Sequence, residues 1–341
     1  MFETIWFFLW GLLWAVYFAL DGFDLGMGSL MPFIARTESE KRIMLNAAGP
    51  YWDGNEVWLI TAGGVTFAAF PLVYATMFSA LYAPLLIILF ALIFRAVSFE
   101  FRSQRDDPTW KNVWDKAKFL GSAIPAILFG AAFANLFKGI PIDQAGVYHG
   151  HLLLLLNPYG LAGGVFFLLM FCLHGSLWLT LKTAGPLHDR AARTAVVLWL
   201  PLTVVAVLFL LLTAWYTNLY ANYLAYPALW LVPIVAVAAL FCIRIALAKN
   251  SFLAAWAFSA LFIISVTFFG VIGMFPGMLI SNMDPAATLT AFNAASSPLT
   301  LKIMLGVVSV GVPIVIIYQI WVYRLFAQKV TEKDLESDHA Y

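Results

Sequence analysis

The amino-acid sequence predicts an all-α integral membrane protein with nine transmembrane helices, an external (periplasmic) N-terminus and a cytoplasmic C-terminus. Three observations carry that expectation. Hydrophobic residues make up 63% of the chain and charged residues 11%, where a soluble domain has roughly a quarter charged. Apolar runs of the about 20 residues needed to cross a bilayer recur along the whole length. Lysine and arginine gather in every second connection between those runs, as they do on the cytoplasmic side of membrane proteins. A net charge of +1 gives no basis for nucleic-acid binding. The expected organisation is a single polytopic domain over residues 1–330 and a short, solvated cytoplasmic tail over 331–341.

The spans are expected near 5–34, 51–72, 74–101, 117–138, 156–181, 194–216, 228–248, 252–275 and 299–326. The first lacks a basic leader and a small-residue cleavage site, so it reads as a retained span. The third is long, and its inner end at 94–102 is expected to protrude or bend. The cytoplasmic side takes Arg36, Lys41 and Arg42; then Arg95, Arg102, Arg105, Lys111, Lys116 and Lys118; then Lys182, Arg190 and Arg193; then Arg244 and Lys249; and finally Arg324, Lys329 and Lys333. Only Lys138 and Lys302 fall on the other side, which fixes the orientation and requires an odd number of spans. The external connections around 140–152 and 217–227 carry Tyr148, Tyr216, Tyr220, Tyr223 and Tyr226, as an aromatic belt would.

Four acids interrupt this apolar pattern. Asp53 and Glu56 open the second span in the stretch PYWDGNEVWLITAGG, and Asp21 and Asp24 lie deep in the first, in LDGFDLGMG. Each pair is three residues apart and so shares a helix face. At 1.5 Å per residue Asp21 lies ~20 Å and Asp24 ~15 Å from the inner end of the first span, with Asp53 and Glu56 within ~10 Å of the inner end of the second. Gly22, Gly26 and Gly28 would let another helix approach the first span closely. If the two helices pack, the carboxylates step from the cytoplasmic mouth toward the membrane middle. Ionisable groups are costly there and usually mark an ion or proton route. The structural reading is that Asn46, Asn55 or Arg95 pins the acids, or that Asp53 caps its helix. Glu100, Arg95 and Arg102 read as a separate structural charge group at the end of the third span.

No other redox or catalytic signature is visible. Cys172 and Cys242 lie in apolar runs and read as packing residues. His149 and His151 are external, His188 and His339 cytoplasmic, and His174 alone lies within a span, so no facing pair of haem or metal ligands is expected. His174 is expected to be a hydrogen-bonded packing residue. Phosphate-loop, dinucleotide and H-E-x-x-H patterns are missing. On residues alone, a proton path, a proton-coupled secondary transporter and a structural scaffold all stay open. A transporter would more often show inverted repeats and broken helices, and no convincing repeat relates the halves.

The segments ALDGFDLGMG (19–28), KRIMLNAAGPYWDGNEVWLITAGGVTFAAFP (41–71), FRAVSFEFRS (94–103), LLNPYGLAGGV (155–165), AWAFSALF (255–262) and SSPLTL (296–301) resemble subunit II of the cytochrome bd-type quinol oxidases. The resemblance covers most of the chain, and the block from Arg42 to Pro71 is its most specific part. It implies a heterodimeric bacterial terminal oxidase of the cell membrane that oxidises ubiquinol or menaquinol and reduces dioxygen to water. Such an enzyme takes protons from the cytoplasm and generates proton-motive force without pumping. It implies that this chain binds no cofactor of its own beyond a quinone held structurally in some members. The b-type and d-type haems would belong to subunit I, its partner, with small single-span subunits and membrane lipid around the pair. It also implies that Asp53 lies on the proton route, with Glu56 at a position where some relatives carry a neutral glutamine, and with Asp24 and Asp21 in a motif of less settled role.

Overall fold

The computed structural model describes residues 1–336; His339 and the rest of the tail lie outside them. Twelve helices follow in order. They are α1 (Phe2–Ile34), α2 (Glu38–Ala48), α3 (Trp52–Ala69), α4 (Pro71–Ala80), α5 (Tyr82–Phe101), α6 (Pro108–Lys138), α7 (Pro158–Lys182), α8 (Gly185–Tyr216), α9 (Tyr220–Ala225), α10 (Leu231–Ala248), α11 (Phe252–Met274) and α12 (Pro298–Leu325). Between α11 and α12 an antiparallel pair, β1 (Gly277–Leu279) and β2 (Leu289–Thr290), closes one end of the bundle. Among the described residues eight helices are long and apolar enough to cross a membrane: α1, α5, α6, α7, α8, α10, α11 and α12. The expected second span, α3, falls outside that group; it has 18 residues and carries Asp53 and Glu56.

Local chemistry explains where the elements depart from the hydropathy reading. The expected third span is two helices. Pro84 has no N–H for the carbonyl of Ala80, so α4 stops at Ala80 and α5 starts afresh at Tyr82. Pro71 divides α3 from α4 in the same way. An unexpected amphipathic helix, α2, forms between α1 and α3. There the Thr37 hydroxyl accepts from Glu40 N while the Glu40 carboxylate accepts from the backbone at Thr37. Helix α6 begins nine residues before the expected boundary because Asp107 accepts from the backbone of Thr109 and Trp110 and Pro108 takes the first helical position. The first part of the tail is not a free end: Leu335 is buried, its carbonyl accepts from Arg42, and Val330 N donates to Lys182 O.

Helix α1 is the axis of the molecule, packed against α3, α6, α7 and α11. Its glycines allow this, as expected. A Cβ on Gly26 would lie 1.7 Å from the Phe171 carbonyl oxygen of α7, and one on Gly28 would lie 2.1 Å from Ser122 Oγ of α6. Helix α12 is peripheral, with only Leu301 buried. It is fastened by polar contacts: Trp6 Nε1 donates to Leu301 O, Trp58 Nε1 to Gln319 Oε1, and Gln319 Nε2 to Gly54 O. Its inner end is held by Tyr51 and Lys182, both donating to the Phe326 carbonyl. The outward faces of α8, α10 and α12 are apolar, with Leu211, Ile234 and Ile317 exposed, as membrane-facing surfaces are.

Candidate functional site

Three of the four acids meet in one buried cluster between α1, α3, α5 and α6. Asp21 and Asp24, one turn apart on α1, are fully buried. Arg95 of α5 is buried with them, and its Nη2 donates to Asp21 Oδ1 at 2.8 Å and to Glu56 Oε1 at 2.5 Å. Asp24 Oδ2 accepts from Asn55 Nδ2 at 3.0 Å, and Asn55 Oδ1 accepts from the Tyr323 hydroxyl of α12 at 2.9 Å. The pinning groups anticipated from sequence, Arg95 and Asn55, are thus the ones used. Lys118 of α6 completes the cluster: it is buried, and its ammonium lies 3.2 Å from the centre of the Phe99 ring.

Pairing is incomplete. Asp21 Oδ2, Asp24 Oδ1, Arg95 Nε and Nη1, Lys118 Nζ and the Tyr17 hydroxyl have no hydrogen-bond partner in the protein. Buried polar atoms that lack protein partners are commonly satisfied by internal water. Three acids stand against two bases here, so the cluster reaches formal neutrality by taking up one proton. Glu56 is its contact with the surface, with a side chain 22% exposed where those of Asp21 and Arg95 are fully buried.

Asp53 stands apart. It is exposed, and its Oδ1 accepts from Gly54 N in the first turn of α3. The N-cap of α3 is Tyr51, so the capping role considered for Asp53 is corrected: the helix begins one residue before it. The grouping of Glu100, Arg95 and Arg102 is corrected as well. Glu100 is exposed, Arg95 turns into the cluster, and Arg102 turns away from it, toward α2 and the first turns of α6. There Arg102 grips Glu38 with two nitrogens at 2.7 and 2.8 Å and donates from Nε to Asp115 at 2.6 Å. Lys41 donates to the other oxygen of Asp115 at 2.7 Å. The Arg102 hydrogen bonds hold the Glu38 carboxyl below its ordinary pKa. Sequence reasoning missed Lys118, counting it as a loop flank; the spacing Asp115, Lys118, Ser122 along one helix face was the available signal.

Comparison with known proteins decides the family. The model for "Cytochrome bd terminal oxidase subunit II" matches residues 2–326. The chain belongs to the cytochrome bd terminal oxidase subunit II family. It is 36% identical to "Cytochrome bd-I ubiquinol oxidase subunit 2" of Escherichia coli (strain K12), covering 97% of this chain and 96% of that protein. It is 37% identical to "Cytochrome bd ubiquinol oxidase subunit 2" of Bacillus subtilis (strain 168), covering 97% and 98%. A chain of the bd oxidase of Geobacillus thermodenitrificans has the same fold, with a TM-score of 0.74 at 19% identity over 95% of this chain and 98% of that one. This cytochrome bd subunit II is therefore a membrane component of a bacterial respiratory oxidoreductase, and the transporter reading is set aside.

His174, the intramembrane histidine, serves packing. His174 Nε2 donates to Ala19 O at 2.9 Å, Nδ1 faces the Ser259 hydroxyl at 2.5 Å, and the ring stacks on Trp256. Both imidazole nitrogens are engaged, so His174 is the packing residue expected and does not fit a haem iron. Among the described residues no group of three or more His, Cys, Asp or Glu could hold a metal ion. An apolar cavity of about 150 Å³ is lined by Phe18, Phe166, Phe209, Leu240, Phe262 and Phe269. Its threonines, Thr203 and Thr267, both donate back into their own helices, to Trp199 O and Ile263 O. The lining suits a hydrocarbon chain and offers no free donor to a quinone carbonyl.

Proposed function

We propose that this subunit supplies a cytoplasmic proton path to a quinol:oxygen oxidoreductase whose b-type and d-type haems lie in the partner, subunit I. The relatives are ubiquinol oxidase subunits by name, and the reaction carried over from them oxidises quinol and reduces dioxygen to water. Reduction of dioxygen consumes protons. Drawing those protons from the cytoplasm generates proton-motive force without pumping. The reading includes α3 as a ninth span, an external N-terminus and a cytoplasmic C-terminus, supported by the distribution of lysine and arginine. Subunit I as heterodimer partner, small single-span subunits and lipid complete the assembly. A quinone held in this chain would place its tail, and not its head, in the cavity beside Phe209.

The single observation behind the path is the cluster itself: Asp21, Asp24 and Glu56 share a buried site that reaches the surface at Glu56 and holds six polar atoms without protein partners. Carboxylates in such a site can accept and release protons. Asp53, exposed at the start of α3, collects protons; Glu56 is the mouth; Asp21 and Asp24 hold the proton inside. One other reading has an observation in its favour. Arg95 braces Asp21 and Glu56 with one nitrogen, as a purely structural ion pair would.

Purification of the assembled complex and its reduced-minus-oxidised spectrum test the oxidase assignment; a complex without haem bands refutes it. Asp53→Asn tests the path. Oxygen-linked proton uptake should fall while the haem spectrum stays near that of the wild type. Unchanged turnover would make Asp53 a solvated carboxylate favoured only by the helix N-terminus.

A further inference from the structure

Helix α6 connects the two charge regions. Asp115, tied to Arg102 and Lys41, belongs to the cytoplasmic network. Lys118 follows on the same helix face, about 4.5 Å further along the axis. Its ammonium sits against Phe99, one turn from Arg95 on α5, and its Cε lies 3.4 Å from the position a Cβ would take on Gly28, one turn from Asp24 on α1. The groups on its inner side are Asp24, Asp21, Glu56 and Arg95; those on its outer side are Asp115, Arg102 and Lys41. Lys118 Nζ has three protons to donate and no protein acceptor, while Asp24 Oδ1 and Asp21 Oδ2 have no protein donor. Donors and acceptors left over in one buried site complement each other through water.

We propose that Lys118 is a proton-relay residue forming a second inlet, along α6 from Asp115 to Asp24, separate from the Asp53–Glu56 mouth. The inference rests on the proton-path reading above. The ammonium passes one proton through water to the Asp24 carboxylate. The neutral amine then takes one proton from water on the Asp115 side. Lys118 ends as it began, and one proton has moved inward.

The test uses the assembled oxidase in liposomes, with quinol-driven proton uptake followed by a pH dye on the cytoplasmic face. Four variants are compared: Lys118→Met, Lys118→Gln, Lys118→His and Asp24→Asn. The expected result is a fall in uptake rate of about twofold in Lys118→Met and Lys118→Gln, because the Asp53–Glu56 mouth still feeds the cluster, with partial recovery in Lys118→His, which restores a titratable nitrogen. Haem content should match the wild type, and the solvent deuterium isotope effect on uptake should rise. A purely structural lysine would be rescued by glutamine as well as by histidine, and that result overturns the proposal. Wild-type uptake in all Lys118 variants beside slow uptake in Asp24→Asn removes the α6 inlet and keeps the path. Wild-type uptake in Asp24→Asn as well removes the path itself. Failure of all three Lys118 variants to assemble with haem also overturns the proposal, because Lys118 is then a structural cation.

Discussion

Arg95 lies in the last part of α5 and Arg102 in the turn that follows it, and each is shared between two carboxylates. Arg102 is used completely: Nη1 and Nη2 take Glu38, Nε takes Asp115, and Lys41 fills the other Asp115 oxygen. Arg95 is used at one nitrogen only, leaving Nε and Nη1 without protein partners although the residue is fully buried. A saturated ion pair at the membrane edge holds elements together, here α2, the turn after α5, and α6. An unsaturated one inside the membrane does that less well than it could, at a place where unpaired charge costs most. The difference teaches that the inner cluster is built to keep polar atoms available.

The sharpest way to break this comparison is to remove each arginine. Arg95→Leu strands Asp21 and Glu56 in the interior, and loss of one partner from a buried pair costs about 3–5 kcal/mol. The expected outcome is loss of assembled, haem-containing complex, measured by yield and spectrum. Arg102→Ala should cost less than Arg95→Leu, because Glu38 is 47% exposed and screened by solvent and the buried Asp115 keeps Lys41 as a partner. A fall of only a few degrees in the thermal midpoint checks it, shrinking further as salt is raised. Equal losses in the two variants would abolish the distinction between the clusters.

Asp24→Asn sharpens the comparison by leaving Arg95 and its partners in place. Asparagine keeps the shape and can still pair with Asn55, so the complex should assemble with its haems. Proton uptake should slow by about a hundredfold, the lower end of the range for a lost acid–base group, measured in liposomes under quinol-driven turnover. Normal uptake would make the inner cluster as structural as the outer one.

The apolar spans were legible because hydropathy over a helix length is a property of local sequence. The α4–α5 break was not, since Pro84 sits inside an unbroken apolar run and acts only through the carbonyl of Ala80. Asp21, Asp24 and Glu56 were legible as charges out of place. That they meet, and that Asp53 does not join them, depends on where α3 starts. A start at Trp52 puts Asp53 in an exposed first turn and Glu56 one turn inside. Arg95 was named as a partner for the acids, yet its grouping with Glu100 and Arg102 followed sequence proximity, which a helix overrides by sending residues to different faces. Lys118 stayed hidden because α6 was expected to begin beside it, whereas Asp107 starts the helix three turns earlier and carries the lysine into the interior.

The smallest effect concerns pH. Arg102 lowers the folded-state pKa of Glu38 below its unfolded value. A carboxylate with a depressed folded pKa contributes stability above its unfolded pKa and loses it as pH falls through the folded one. For glutamate that loss begins below about pH 5 and is complete once both values are passed. Glu38→Gln removes the titrating group, so its thermal midpoint should fall less steeply than that of the wild type as pH is lowered from about 6 to 4. At pH 7 the variant should be slightly the less stable of the two, and the two curves should converge on acidification. Parallel pH curves for Glu38→Gln and wild type would mean that the Glu38–Arg102 contact contributes nothing in solution. The outer network would then owe its strength to Asp115, which alone joins Arg102 to Lys41.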